Sequence, residues 1–170
     1  MPKPAKGNYP EYFQKYIDQV PEEDMHTAFA NQLPVITEFL HSISEEKANF
    51  SYAPGKWTIK ELLQHIIDTE RIFNYRALCF ARHEKASLPG FDENEYAAHS
   101  NASHRSWSSL LEEFFTLRRS TEQLFESFTP EALVNQGLSN NNKNTAGSIA
   151  FITIGHVYHH KKVLEERYLK

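Results

Sequence analysis

The chain has a single cysteine, Cys79, among 170 residues. No intrachain disulfide framework can form, so stability has to come from a packed core. Positive charge is not in excess either. Eighteen Lys and Arg stand against 22 Asp and Glu, a net charge of −4, with pI near 6.1. That balance argues against a general electrostatic grip on nucleic acid. Lys161-Lys162 and Arg118-Arg119 are short pairs read as lying on solvated faces. No apolar run approaches the roughly 20 residues that span a bilayer. Residues 1–10 lack the apolar stretch of a signal peptide. A cytoplasmic protein without membrane or nucleic-acid partners is the expectation. No segment alternates clearly with period 2, so no sheet is expected.

Composition is otherwise that of a globular domain, 40% hydrophobic and 24% charged. A length of 170 residues fits one domain with a sizeable core. Residues 1–20 hold Pro2, Pro4, Gly7 and Pro10 among Tyr9, Tyr12, Phe13 and Tyr16, and read as an extended arm packed over the domain surface. The domain proper is expected over 21–170.

Four segments show helical period. The first is expected from Pro21 to Ile43, with Pro21 at the first helical position and Glu22, Glu23 and Asp24 at the positive end of the helix dipole. Met25, Phe29, Leu33, Ile36, Leu40 and Ile43 form its apolar stripe, and Pro34 predicts a kink. The second starts at Thr58, where Thr58-Ile59-Lys60-Glu61 is a capping box, and fades near His83. The third spans about Arg105 to Phe128. The fourth runs from Thr145, as N-cap, to about Tyr168. Residues 84–103 read as a long crossover loop between the second and third helices. The fold expected is all-α, a four-helix bundle.

The feature that points to chemistry is a split histidine group. His65 lies on or beside the buried face of the second helix, and His156, His159 and His160 lie in the fourth. A buried imidazole without a partner costs free energy, and neutral imidazole is the commonest metal ligand. His156 occupies an otherwise apolar stripe. Heptad spacing selects His159 as its companion and the i,i+4 ridge selects His160; periodicity leaves both open. Asp68, three residues beyond His65, is a candidate to orient that ring or to ligate, and no other catalytic residue is identifiable. Glu70 reads as an ion-pair partner for Arg71 or Arg76. His26, His41, His83, His99 and His104 read as solvated. Val157, not Glu, follows the first histidine, which argues against classical zincin peptide hydrolysis. Cys79 stands 14 residues past His65, about 21 Å along a helix, and reads as a small core residue.

Trp57-Thr58-Ile59-Lys60-Glu61-Leu62-Leu63-Gln64-His65 resembles the second-helix signature of the DinB-like superfamily, and Gly155-His156-Val157-Tyr158-His159-His160 resembles its closing element. Asp68-Thr69-Glu70-Arg71 and Leu88-Pro89-Gly90-Phe91 resemble a bacterial branch of it. The likeness covers about residues 25–168. It implies a DinB/YfiT-like four-helix bundle, often a homodimer, with a divalent metal, zinc or nickel, on His65, His156 and His160. It also implies a small-molecule substrate and either thiol transfer with a low-molecular-weight thiol or hydrolysis by activated water. The alternative is a non-catalytic dimeric bundle acting in partner binding, its metal structural or absent.

Overall fold

A computed structural model describes residues 1–170. In chain order the helices are α1 Gln14–Ile17 (after a 3₁₀ turn, Glu11–Phe13), α2 Met25–His41, α3 Glu45–Ala48, α4 Ile59–Ala81, α5 Glu93–His99, α6 Trp107–Glu126, α7 Pro130–Val134 and α8 Ala146–Val163. A wider-wound turn, Leu164–Tyr168, closes the chain. Between α7 and α8 lies a two-stranded hairpin, β1 Gln136–Ser139 and β2 Asn142–Thr145. The four long helices α2, α4, α6 and α8 form the bundle. No helix is long and apolar enough to cross a membrane.

Local chemistry explains most of the helix starts. Thr58 Oγ1 accepts from Glu61 N, and Glu61 Oε2 accepts from Thr58 N at 2.7 Å, so the capping box opens α4 as its residues predict. Thr145 caps α8 in the same way with Ser148. α2 begins four residues later than expected. Asp24 caps it by accepting from Thr27 N, and its other oxygen holds the chain's terminal ammonium at 2.8 Å. Residues 21–24 are instead non-helical, with Pro2 bridged to Asp24 and Lys3 N donating to the Glu23 carbonyl. Pro34 sits on the exposed side of α2, which continues through it. Asp92 caps α5 inside the segment expected to be a plain loop.

Two expectations are corrected. A small sheet exists: β1 and β2 pair antiparallel with Gln136 opposite Thr145 and Ser139 opposite Asn142. Its two-residue turn, Asn140-Asn141, has both φ values positive (48° and 60°), a backbone state that asparagine tolerates. The hairpin is docked by Phe80, whose ring lies where a Gly137 Cβ would stand. The arm is not extended throughout either. Residues 11–17 are helical, and Tyr16, Ile17 and Val20 join the core.

The core has two parts. One packs Ile17, Val20, Phe29, Phe80 and Phe125 around the first half of α8. The other packs Ile36, Leu63, Ile67, Leu110 and Phe114 with Val157 and Leu164. Every residue from Ala146 to Val157 is buried, so α8 is a central helix rather than an amphipathic one. α1 reaches it closely because Gly155 has no side chain: a Cβ there would strike the Tyr16 carbonyl.

Candidate metal centre

α4 and α8 lie side by side and present His65 from one and His156 and His160 from the other. Their ring nitrogens converge. His65 Nε2 lies 3.2 Å from His156 Nε2, and His160 Nε2 lies 3.0 Å from the same atom. One ligand atom from each of the three falls within 4.8 Å of the others. Imidazole nitrogens about 2.05 Å from a tetrahedral ion would stand roughly 3.3 Å apart, which the two short separations approach.

Hydrogen bonding alone serves this cluster poorly. His156 Nε2 is one nitrogen facing two others, and a hydrogen shared with one of them leaves the other without that bond. A cation at the convergence would engage a lone pair from each ring. Protonation state agrees. Burial pushes His65 down to about 4. Burial, then the neighbouring histidines, holds His156 well below the ordinary imidazole range, and burial does the same for His160. The rings are therefore neutral near pH 7, the form that ligates metals.

His159 points elsewhere. Its ring packs edge-on against Tyr16, with centroids 5.2 Å apart. Tyr16 also meets His156 edge-on at 5.4 Å, so the arm walls one side of the cluster. Trp57 walls another, 4.9 Å from the His65 ring. Asp68 does not orient His65. It accepts from Gln64 Nε2 at 2.9 Å and lies 3.9 Å from Arg71, in a different cleft. Glu70 is not an exposed ion-pair residue but is buried against Arg118 at 2.8 Å, which removes Arg118 from the solvated pairs. His26, His41, His83, His99 and His104 are exposed. Cys79 is half-buried beside the first core.

The histidines open on a cavity of about 450 Å³. Its walls include Tyr12, Phe13, Trp57, Phe73 and Phe91, with Asn140 and Asn142 of the hairpin. Its one carboxylate is Glu93, which is exposed. Sequence reasoning missed most of this lining, because it comes from the arm, the crossover and the hairpin. One wall was legible: His65, Thr69, Phe73 and Arg76 recur along α4 at helical spacing, and all four face the cavity.

Comparison with known proteins bears on this arrangement. A protein of Oceanobacillus iheyensis, provisionally named a metal-dependent hydrolase, is 30% identical over 87 residues, 46% of this chain and 50% of that protein. The match thus spans half the length of that relative. Among solved structures, YfiT from Bacillus subtilis, provisionally described as a metal-dependent hydrolase with an unusual four-helix bundle topology, superposes with a TM-score of 0.71 at 16% identity, over 96% of this chain and 90% of that one. A mycothiol-dependent maleylpyruvate isomerase superposes with a TM-score of 0.70 at 14% identity, over 86% of this chain and 61% of the other. At such identities the two structures establish a shared fold. The sequence profile of the DinB superfamily matches residues 28–164, and the chain belongs to that superfamily.

Proposed function

We propose that this protein is a metal-dependent enzyme in which His65, His156 and His160 hold a divalent ion, zinc or nickel, through their Nε2 atoms. The observation that carries the reading is the convergence of three neutral, largely buried imidazoles at one end of a cavity. Three neutral ligands leave an ion its full charge and a position open, so it would supply Lewis-acid activation of a thiol or a water. The chain's own groups do the rest. Trp57 and Tyr16 exclude solvent beside the rings, and the aromatic walls shape the space for a small molecule.

Between the two nucleophiles, the lining favours a thiol. No buried carboxylate stands in the cavity to take a proton from water, and a thiol ionises far more readily than water does. Thiol transfer to an electrophile is the reading, with a low-molecular-weight thiol as co-substrate. The hydrolase name of the Oceanobacillus relative supports activated water as the second reading.

The test is metal analysis of tag-free protein with single His65→Ala, His156→Ala, His160→Ala and His159→Ala variants. Near-stoichiometric metal in the parent and in His159→Ala, with loss in the other three, supports the site. Thiol–electrophile and ester or amide substrates then separate the two activities. A parent that stays empty when supplied with zinc, nickel and iron overturns the reading.

A further inference from the structure

We propose that the cavity selects a small carboxylate with an apolar or aromatic body, and that Arg76 is the residue that recognises its charge. The inference rests on the cavity being the substrate site of the proposed enzyme. Two buried arginines of the bundle differ in their partners. Arg118 is 3% exposed and has its counter-ion, Glu70, at 2.8 Å. Arg76 is 7% exposed and takes part in no ion pair of the chain. A guanidinium withdrawn from water without a counter-ion is costly, and such groups are ordinarily paired.

The hydrogen bond Arg76 makes is Nη2 to the Pro89 carbonyl, at 2.7 Å. That contact fixes the head group and leaves the other donors of the fork for something else. None of its nitrogens is sealed in the core without a partner, and the residue lines the cavity. The Phe91 ring lies 6.0 Å from its Cζ, which adds a second constraint on its plane. Burial pushes its guanidinium below the ordinary arginine value. Glu93, the cavity's own carboxylate, is exposed and makes no ion pair with it.

Geometry places this charge opposite the histidines. Arg76 is 11 residues from His65, three turns of helix, so the two share a face within about 20° and their Cα atoms stand about 16 Å apart. Phe73 and Thr69 lie between them on the same wall. A molecule lying along α4 would set its carboxylate on the fork, its body on the aromatic walls and its far end at the histidines. A planar fork beside neutral polar and aromatic groups, with Ser139 and Asn140 in the same lining, suits a carboxylate, which it can grip through two parallel bonds.

The test uses the full-length protein as purified, with 3-phenylpropionate and its neutral amide as probes, read by calorimetry and by Trp57 fluorescence. The acid should bind the parent at least tenfold more tightly than the amide, as a charge-assisted hydrogen bond implies. Arg76→Gln should erase that preference while leaving amide binding within about twofold. Arg76→Lys, which keeps charge and loses the fork, should fall between, and it serves if the Gln variant does not fold. Equal binding of acid and amide by the parent overturns the proposal. So does a preference that survives in Arg76→Gln, since the anion is then held elsewhere. Metal analysis of the same samples separates the two ideas: a carboxylate preference in protein that stays empty when supplied with zinc, nickel and iron sinks the metal site alone, and a metal-loaded protein without the preference sinks the Arg76 subsite alone.

Discussion

The Arg118 guanidinium meets the Glu70 carboxylate at 2.8 Å in the centre of the bundle, with 3% and 1% of the two side chains exposed. Thr121 Oγ1 donates to the other carboxylate oxygen at 2.6 Å. Arg118 also donates to Gln32 Oε1, and Gln32 Nε2 donates to the Ile154 carbonyl at 2.8 Å. The network ties α2, α4 and α6 to α8, two residues before His156.

Removing one partner strands a buried charge. Glu70→Ala or Arg118→Ala should each lower unfolding free energy by about 3–5 kcal/mol. The double variant Glu70→Leu with Arg118→Met should lose much less than the two single losses combined. Urea denaturation of all four proteins checks this. Small, additive losses would show that the pair is screened and does not organise the core.

Gly155 sets how near α1 approaches α8. Gly155→Ala should push the arm off His156 and cost about 1–3 kcal/mol, the range for overpacking a close contact. The arm should also become cleavable by a protease under native conditions. A variant with parental stability and an uncut arm would show that the backbones shift apart without penalty.

Metal binding by the histidines should raise thermal stability through mass action. An ion at a hundred times its dissociation constant adds about 2.7 kcal/mol, or roughly 5–10 °C in Tm for a chain of this size. His65→Ala and His156→Ala should abolish the increment, and His159→Ala should keep it. Differential scanning with zinc and with chelator reads the difference. An equal increment in every variant would place the ion elsewhere.

Asp24 gives a pH-dependent contribution. Its hydrogen bond to the terminal ammonium, then the Thr27 N–H, holds its folded-state pKa down to about 2, against an ordinary 3.8. A lowered folded value means stability fully present above about pH 4 and lost as the pH falls toward 2. The pair is partly exposed, so the effect is below about 1 kcal/mol. Asn keeps the cap but not the charge. The Tm gap between parent and Asp24→Asn should therefore exist at pH 6 and close near pH 2. A gap that stays constant would show that the charge of Asp24 is not its source.

The four long helices were legible because each presents strong local signals. Thr58 and Thr145 cap from their own next turn, and the α4 and α6 stripes repeat cleanly. The hairpin was not, since its strands are four residues each and owe their place to Phe80 and Leu88 rather than to their own pattern. Glu70 and Arg118 misled for a related reason: charge reads as exposure, and the partner that permits burial lies 48 residues away. The His159–His160 ambiguity arose because the i+3 and the i+4 companion of His156 both fit its stripe, and Tyr16, whose ring packs against His159, lies far off in sequence. Arg76 stood on the His65 face at readable spacing, but nothing local says that it lacks a counter-ion.

His65 and His156 are 91 residues apart in sequence and touch through one pair of nitrogens. An ion shared by them would act as a reversible cross-link in a chain whose one cysteine rules out a disulfide. Unlike a covalent bridge it would let go when the chain unfolds, so it would act on the folded state alone, by mass action. Because the histidines open on the cavity, the ion would exchange with solvent while α4 and α8 stay packed, so the clamp would open on the time scale of ion exchange rather than of unfolding.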